Sequence, residues 1–338
     1  MDPVDRLIVD ESPEHARRLV VLDAPELVEE ARRVADEVVV WCDDARDRDA
    51  VPEEVRGPDL DAALFAGADL VWLRLPKALG ALDEYAELAA QGMTEDGRLV
   101  AGGRVKHMTR SMNEVLASHF GGVNASLGRQ KSRVLHATVP MAADPTWPRS
   151  RTHQAERLTL WAHGATFAGA KIDVGTRVLL RHLGEVSGHD VLDLGSGNGI
   201  IATVLARQDR SRHVLASDVS WAAAGATALT AKENHAAVEA RWAADLDDLP
   251  SASLDAVVTN PPFHQGPAKE SADAERIFRQ GARLLRPGGE FWCVFNSHLP
   301  WKARLTSLVG PTRVVEQTTG YTLTRSVRRD DLSGRGPL

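Results

Sequence analysis

Cysteine, aromatic side chains and long apolar runs are all scarce in this sequence. Only two of the 338 residues are cysteines, so neither a disulfide framework nor a cysteine zinc site is expected. Cys42 and Cys293 both lie in apolar stretches, which predicts buried thiols in a reducing cytoplasm. No run of about 18 apolar residues occurs, so no membrane-spanning helix is expected. The twelve histidines show no metal-ligand spacing, and we expect no metal site.

The remaining composition is typical of a globular protein with more than one domain. Hydrophobic residues make up 43% of the chain and charged residues 26%. A length of 338 residues is enough for two domains, each with its own core. The first residues are acidic and interrupted, unlike a signal peptide.

Charge is distributed unevenly along the chain. Residues 1–100 carry 11 basic and 25 acidic side chains, whereas residues 101–150 carry 7 basic and 2 acidic ones. Ordinary surface variation can produce this contrast. The functional alternative is a basic strip that faces phosphate groups.

Predicted strands and helices alternate through the second half of the chain. Apolar strands without polar interruption, separated by helices, predict a parallel sheet covered on both faces. Residues 312–329 are typical of a terminal hairpin that turns near Gly320 and adds an antiparallel edge. The other predicted elements are a strand, glycine turn and helix at 189–208, a strand at 212–220, a helix at 222–237, a strand at 254–263, and a helix followed by a strand at 274–296.

The first half repeats this pattern with shorter spacings. We align Val21-Leu22-Asp23 with Val191-Leu192-Asp193, which places Asp43 near Asp218. The glycines are missing from the first copy, where Ala24-Pro25-Glu26 follows Asp23. We interpret the pattern as an internal duplication whose first copy kept its fold and lost its ligand loop. Any two alternating α/β segments share some of this likeness, so chance similarity is the alternative.

A segment rich in proline separates the two copies. Residues 137–153 contain three prolines and little periodicity, which predicts a linker. We therefore expect a first domain at 1–140, a linker at 141–153 and a second domain at 154–338.

The glycine turn of the second half has a spacing that indicates its ligand. Gly195, Gly197 and Gly199 lie between a strand and a helix, where backbone N–H groups can approach a ligand closely. Dinucleotide sites prefer G-x-G-x-x-G, whereas Asp193 here precedes three glycines at alternate positions. A carboxylate at that point favours a ligand with a cationic amine near the turn and disfavours a ligand with a pyrophosphate there.

Residues from about 165 to 329 resemble the class I S-adenosylmethionine-dependent methyltransferases. The resemblance implies that Asp193 and the glycine loop hold the methionine moiety, that Asp218 binds the ribose hydroxyls and that Asp245 lies beside the adenine. Asp247 and Asp248 are close alternatives to Asp245. The full set of expected cofactor-binding residues is Phe167, Asp173, Asp193, Gly195, Ser196, Gly197, Asn198, Gly199, Asp218, Asp245 and Asn260.

Asn260-Pro261-Pro262-Phe263 ends a predicted strand and carries the expected catalytic chemistry. Two prolines cannot donate to a sheet ladder, so the strand must stop there. A nucleobase amine is a poor nucleophile because its lone pair is delocalised into the ring. The Asn260 side-chain oxygen and the Pro261 carbonyl can accept hydrogen bonds from its two N–H groups and aim the lone pair at a methyl donor. Phe263 would stack on a flipped base.

Several further segments resemble the two-domain ribosomal RNA guanine-N2 methyltransferases of the small and large subunits. They are 166–183, 260–266 and 296–310, together with the duplicated first half. The resemblance implies two tandem Rossmann-like domains: a degenerate, RNA-binding copy, then a catalytic copy with a seven-stranded, mostly parallel sheet and an antiparallel terminal hairpin. It places Phe167 and Asp173 beside the cofactor and the base, although core packing is an alternative for Phe167. Ser196 departs from the cysteine that the family often has.

The expected activity is transfer of a methyl group from S-adenosylmethionine to the N2 amine of a guanine in ribosomal RNA. An adenine-N6 or protein-glutamine methyltransferase and a noncatalytic RNA-binding protein remain alternatives, and the choice between small- and large-subunit RNA stays open. We expect a cytoplasmic monomer whose partner is ribosomal RNA or a ribosomal subunit, with His264 facing solvent or RNA. The residues expected to contact RNA phosphates are Arg104, Lys106, Arg110, Arg129, Lys131 and Arg133.

Overall fold

The computed structural model describes residues 1–261 and 267–329, with the backbone alone for 267–273. The chain divides into two compact units. The first unit comprises residues 1–149 and 163–165, and the second comprises residues 150–162 and 166 to the end of the described chain. Among the described residues, no helix combines the length and apolar character that a membrane span requires.

The first unit is built on a six-stranded sheet. Its strands are β1 Ala16–Leu22, β2 Ala35–Trp41, β3 Leu70–Arg74, β4 Arg98–Arg104, β5 Phe120–Ala125 and β6 Ser132–Pro140. Its α-helices are α1 Pro3–Asp10, α2 Val28–Val34, α3 Ala45–Ala50, α4 Leu79–Gly92 and α5 Arg110–Ala117. The sheet order is β2-β1-β3-β4-β6-β5. The first four strands are parallel, and β6 pairs antiparallel with both β4 and β5.

The second unit contains a seven-stranded sheet and a small two-stranded one. Its strands are β7 Arg149–His153, β8 Leu158–Ala162, β9 Asp190–Leu194, β10 His213–Asp218, β11 Val238–Trp242, β12 Leu254–Thr259, β13 Leu285–Asn296, β14 Thr312–Gln317 and β15 Tyr321–Val327. Its helices are α6 Val174–Leu180, α7 Ile200–Gln208, α8 Trp221–Glu233, α9 Pro267–Leu284 and α10 Trp301–Leu308. The large sheet has the order β11-β10-β9-β12-β13-β15-β14, and β7 pairs with β8.

Apolar side chains on both faces of the large sheet explain why its strands are continuous hydrophobic runs. Val191 and Val258 are fully buried in a cluster on one face, together with residues of α6 and α7. Their chain neighbours Leu192 and Val257 are fully buried in a second cluster, with residues of α9 and α10. Successive side chains of a strand point to opposite faces, so burial on both sides requires unbroken apolar sequence. The predicted α/β class, the seven strands and the antiparallel terminal hairpin are confirmed.

Some elements were not expected from the sequence. β11 and α10 are short and have little apolar periodicity, so nothing in their local pattern distinguished them from loops. The last residues of the predicted linker at 141–153 form β7, which pairs with β8. Helix α9 begins at Pro267, before the expected start at residue 274.

The two large sheets share one topology, and their register corrects the alignment made from sequence. Without β11, the order β10-β9-β12-β13-β15-β14 reproduces the order of the first unit. Leu22 lies opposite Trp41, as Leu194 lies opposite Ser217. The N–H of Asp23 donates to the Trp41 carbonyl at 3.0 Å, as the N–H of Gly195 donates to Ser217 at 2.8 Å. Asp23 is therefore equivalent to Gly195, and the alignment of Asp23 with Asp193 was wrong by two residues.

The same comparison shows how the first copy accommodates the loss of its glycine. Asp23 has φ +54° and Gly195 has φ +81°, so both are left-handed. Aspartate is one of the few residues with a side chain that occupies this region at modest cost. The turn thus survives in the first unit without a glycine.

Candidate active site

The glycine loop lies at the point where the order of the large sheet reverses. β9 is flanked by β10 on one side and β12 on the other, and all three strands are parallel. Open α/β sheets bind ligands at such a switch point, outside the carboxyl ends of the strands. Gly195 follows β9 there, Asp218 ends β10 and Asn260 follows β12.

The loop conformation depends on its glycines. Gly195, Gly197 and Gly199 all have positive φ, at +81°, +57° and +75°. An added Cβ would meet no atom within 4 Å at Gly195 or Gly197, so the backbone of both faces open space. At Gly199 it would lie 2.6 Å from the Thr227 backbone, so this glycine permits close helix packing instead. The first two glycines thus leave room for a ligand at the loop.

Asp193 lies in β9, before this loop, and is fully buried. Its Oδ2 accepts a hydrogen bond from the Ala202 N–H at 3.0 Å, whereas its Oδ1 has no partner among the described residues. Burial raises the pKa of Asp193 to about 7; the Ala202 hydrogen bond opposes the rise and the Asp218 charge adds to it. An unpartnered buried carboxylate oxygen can be stabilised by a cationic donor such as the amine of S-adenosylmethionine.

Asp218 joins the end of β10 to the glycine loop. Its Oδ2 accepts from the Gly197 N–H and its Oδ1 from the Ser220 N–H, both at 3.0 Å. Asp245 lies after β11, where its exposed carboxylate accepts from the Asp247 N–H at 3.1 Å. The structure therefore brings Asp218 to the loop. The ribose and adenine roles of Asp218 and Asp245 stay predictions.

The amide of Asn260 is held by two residues of the segment that begins α6. Its Nδ2 donates to Asp173 Oδ2 at 3.1 Å and to Thr176 Oγ1 at 2.9 Å. An ionised carboxylate only accepts hydrogen bonds, so the nitrogen must face Asp173. The Asn260 oxygen is thereby left on the other side of the amide, where it has no donor among the described residues.

Asp173 has a second function at the same place. It is the N-cap of α6, and its Oδ2 accepts from the Gly175 N–H at 2.9 Å and the Thr176 N–H at 3.3 Å. Gly175 has no room for a side chain, because an added Cβ would lie 2.9 Å from the Tyr321 ring. Burial and the charge of Asp173 both raise the pKa of Tyr321. Asp173 is thus fixed by the helix that it caps.

Three further hydrogen bonds connect the glycine loop to its surroundings. The Thr259 hydroxyl, at the end of β12, donates to the Leu194 carbonyl at 2.6 Å. Asn198 Nδ2 donates to the carbonyls of Gly169 and Lys171, both at 2.9 Å. The loop, the end of β12 and the segment before α6 therefore form one connected site.

One cleft collects most of the residues predicted to bind the cofactor. Its lining residues come from the segment before α6, from α6, from the glycine loop, from α7 and from the end of β12. They are Phe167, Ala168, Lys171, Asp173, Thr176, Gly195, Ser196, Gly197, Asn198, Ile200, Ile201 and Asn260. Phe167 is 47% exposed, which argues against core packing for this ring. Asp193 is buried behind the loop and does not line this cleft, but its unpartnered oxygen and the open glycines of the loop fit S-adenosylmethionine.

Some predicted residues lie elsewhere or outside the described chain. Pro261 is buried directly after Asn260, whereas Pro262, Phe263 and His264 lie outside the described residues. Sequence reasoning missed Thr176 and Lys171. Thr176 and Asn260 are far apart in the sequence and meet only in the folded protein. A single lysine before a helix does not by itself indicate a binding site. The described part of the chain contains no cluster of three or more metal-ligating side chains.

The residues predicted to contact RNA lie on the first unit. Most of them converge where β4 ends and β6 begins, since Arg104 pairs with Ser132 across the two strands and the Val105 N–H donates to the Lys131 carbonyl. Arg104 also pairs with Asp2 at 2.7 Å, and Arg110 lies 3.4 Å from Glu114. The four that form no ion pair with any described residue are Lys106, Arg129, Lys131 and Arg133, all exposed.

Two family models match this chain. The Methyltransferase small domain matches residues 157–325, and the RLMG N-terminal domain matches residues 45–141. The first match covers the glycine loop and Asn260. The second covers most of the first unit's sheet.

Relatives with known names agree with these matches. The "Ribosomal RNA large subunit methyltransferase G" of Streptomyces avermitilis is 33% identical over 271 residues, which are 77% of this chain and 71% of the relative. The protein of the same name in Stutzerimonas stutzeri is 32% identical over 289 residues, covering 83% and 76%. A solved structure of the "T. Thermophilus 16S rRNA N2 G1207 methyltransferase", in complex with AdoMet and guanosine, shares the fold with a TM-score of 0.80. It is 23% identical, and the match covers 97% of this chain and 92% of that one. This chain therefore belongs to the ribosomal RNA large subunit methyltransferase G family, whose cofactor is S-adenosylmethionine.

Proposed function

We propose that this protein methylates the N2 amine of a guanine in large-subunit ribosomal RNA. The observation that carries the proposal is the fixed amide of Asn260, whose oxygen is available beside the glycine-loop cleft. Large-subunit RNA as substrate is supported by the names of the relatives. Guanine N2 is supported by the T. thermophilus protein of similar fold, which is an N2 methyltransferase in complex with guanosine. An RNA of this kind would place the reaction in the cytoplasm.

The acceptor amine requires orientation more than it requires a base. Bound S-adenosylmethionine supplies an electrophilic methyl group. The Asn260 Oδ1 and the Pro261 carbonyl accept hydrogen bonds from the two N–H groups of the amine, which turns its lone pair out of the plane of the base. Positioned acceptors of this kind contribute through geometry and through stabilisation of the positive charge on the attacked nitrogen. That nitrogen is strongly acidic once alkylated, so its proton leaves for solvent without a dedicated base.

Asp173 and Thr176 fix the orientation of the Asn260 side-chain amide whether or not the substrate is bound. Both accept from the same Asn260 nitrogen, so a flip of the amide would oppose an oxygen to the Asp173 carboxylate. A hydrogen bond to a charged group contributes about 1.5–3 kcal/mol, enough to hold one amide rotamer. Asn260 therefore presents its oxygen before RNA binds.

The substrate assignment is tested by identifying the methylated nucleoside. Purified protein is incubated with isotope-labelled S-adenosylmethionine and large-subunit ribosomal RNA from cells that lack the gene, and the RNA is digested and analysed by mass spectrometry. We expect N2-methylguanosine. N6-methyladenosine would refute the guanine assignment, and label in protein glutamine would refute the RNA assignment. Absence of both transfer and S-adenosylmethionine binding would refute the catalytic function and favour a noncatalytic protein.

The role of Asn260 is tested by the variant Asn260→Ala. We expect unchanged affinity for S-adenosylmethionine in calorimetry and a loss of turnover of at least about 100-fold, the effect of removing one positioned polar group from a catalytic site. Asn124→Ala is the matched control, because Asn124 is exposed on β5 of the first unit. Normal turnover of Asn260→Ala would refute the proposed role of the amide.

A further inference from the structure

The first unit contains a cleft of its own at the carboxyl ends of β3 and β4. We call it the first-unit cleft. Its volume is about 250 Å³, near the lower limit of small-molecule sites. Leu75, Met108 and Met112 provide apolar lining, and Lys77, Arg104 and His107 provide polar lining.

This cleft occupies the position that the acceptor site has in the second unit. Val21 lies opposite Trp72, as its equivalent Asp193 lies opposite Val258. Two residues further along each strand, Arg74 is equivalent to Asn260. The sequence supports this register, because a proline stands two residues after each of them, at Pro76 and Pro262.

The helices that flank the two sites also correspond. α1 packs on β4 and β6, as α6 packs on the equivalent strands β13 and β15. Each helix has an aspartate N-cap that lines the cleft: Asp2 accepts from the Val4 N–H at 2.8 Å, and Asp173 accepts from the Gly175 N–H at 2.9 Å. The first-unit cleft is therefore the duplicated counterpart of the acceptor side of the active site.

In contrast, the side of the first unit that corresponds to the cofactor site of the second unit is filled by side chains. Asp23 stands in place of Gly195, and its carboxylate accepts from the Tyr85 hydroxyl at 3.0 Å and the Asp43 N–H at 2.8 Å. Tyr85 is buried and packs edge-on against Trp41, with ring centroids 5.8 Å apart. These side chains occupy the space beside the turn. The first unit has thus closed its cofactor side and kept its acceptor side open.

The charges around the first-unit cleft leave one cation without a counterion. Arg74 is paired with Asp5, and Arg104 is paired with Asp2 at 2.7 Å. Lys77 is exposed and forms neither an ion pair nor a hydrogen bond with any described residue. An apolar floor beside a free ammonium group is complementary to a nucleobase joined to a phosphate.

We propose that the first-unit cleft binds one nucleotide of the RNA substrate, with the base against Leu75 and Met108 and a phosphate at Lys77, and does not react with it. The identity of the ligand as RNA rests on the proposed function. The cleft lies beside the exposed basic residues at the end of β4. An RNA strand that contacts those residues can therefore place a nucleotide in the cleft. The first unit would then select RNA through a bound nucleotide as well as through phosphate contacts.

The test measures binding to deproteinised large-subunit ribosomal RNA, by filter binding at several potassium chloride concentrations, and needs no turnover. The salt slope is the steepness with which the logarithm of the binding constant falls as the logarithm of the salt concentration rises. We expect Lys77→Ala to weaken binding about fivefold and to lower this slope by about 1, as for one lost phosphate contact. We expect Met108→Ala to weaken binding about tenfold with an unchanged slope, as for a lost base contact. Lys232→Ala and Met141→Ala are matched controls, because both side chains are exposed outside the cleft.

Affinity for S-adenosylmethionine and thermal stability should be unchanged in both variants. Wild-type affinity and salt slope in Lys77→Ala and Met108→Ala would overturn the proposal. A loss in Lys77→Ala without one in Met108→Ala would reduce the cleft to a phosphate contact and would also overturn the nucleotide site. Failure of the unchanged protein to methylate ribosomal RNA would refute the proposed function instead, and the binding measurement would still decide on the cleft.

Discussion

Asp173 Oδ2 accepts a hydrogen bond from Asn260 Nδ2 at 3.1 Å, although the two residues are 87 positions apart in the chain. The same oxygen caps α6. One carboxylate thus connects the start of a helix to the residue that follows the central strand β12.

Replacement of Asp173 by alanine should disturb the orientation of the Asn260 amide without weakening cofactor binding. We expect kcat to fall about 10- to 100-fold, because the Asn260 amide loses its fixed orientation. The lost N-cap should also cost about 1 kcal/mol in the free energy of unfolding. Thr176→Val is the control, since it removes the weaker, uncharged contact and should lower kcat less. A fall in S-adenosylmethionine affinity larger than the fall in kcat would instead place Asp173 in the cofactor site.

Binding of S-adenosylmethionine should release a proton from Asp193. The pKa of this buried carboxyl is raised to about 7, so at pH 6 it is mostly protonated in the free protein. A cationic ligand binds the ionised form, so affinity should rise about 15-fold from pH 5.5 to pH 7 and level off only above about pH 8. Calorimetry in buffers of different ionisation enthalpy measures the released proton directly. In Asp193→Asn the release should disappear; a release that persists would assign the proton to another group.

The same pKa predicts a pH dependence of folding without ligand. An acid whose pKa is raised on folding binds more protons in the folded state between its unfolded pKa, near 4, and its folded pKa, about 7. The contribution of Asp193 to stability should therefore fall as pH rises through that window. Denaturant unfolding of Asp193→Asn should lack this component.

Charge reversal at Arg129 and Lys131 should weaken RNA binding in a salt-dependent manner. Both side chains are exposed at the hairpin that leads into β6, and neither pairs with a described residue. Loss of two phosphate contacts should lower the salt slope by about 2. Arg98→Glu is a matched control at the opposite, amino end of β4. An unchanged slope would exclude these residues from the RNA-binding surface.

Glu84 should contribute strongly to the stability of the first unit. It is 3% exposed, and it accepts from the Gly164 N–H and contacts His163 Nδ1, each at 2.6 Å. Glu84→Ala would remove the acceptor of the half-buried Gly164 N–H and one contact of the buried His163 ring, and should lower the free energy of unfolding by about 2 kcal/mol. Chemical denaturation measures the change. Exposed Glu95→Ala should have almost no effect, and equal effects of the two variants would contradict this role for Glu84.

The fold and the cofactor loop could be predicted from the sequence because their signals are local. A turn with three glycines was expected between an apolar strand and a helix, and the structure has that turn between β9 and α7, with positive φ at all three glycines. The parallel sheet with its antiparallel edge also followed from the alternation of strands and helices and from the closing hairpin. The polar tetrapeptide that begins at Asn260 marked the end of β12, which the structure places at Thr259.

Contacts between distant residues could not be predicted in this way. Nothing near Thr176 in the sequence indicates that its hydroxyl accepts from Asn260, since the contact depends on how α6 packs against the large sheet. The duplicate was aligned by its Val-Leu-Asp letters, whereas hydrogen-bond register pairs Asp23 with Gly195. The residues of an apolar strand are too similar to one another to determine how two strands should be aligned. The hydrogen-bond pairing with the neighbouring strand determines that alignment.

The hydrogen bond from the Thr259 hydroxyl to the Leu194 carbonyl joins the ends of two strands that each lead into the candidate site. The glycine loop follows β9 and Asn260 follows β12, and these strands are immediate neighbours in the sheet. Adjacent strands are separated by about 4.8 Å, a spacing set by main-chain hydrogen bonds. The separation between the strand ends that carry the glycine loop and Asn260 is thus set by the main chain, so substitutions of side chains around the cleft should leave that separation unchanged.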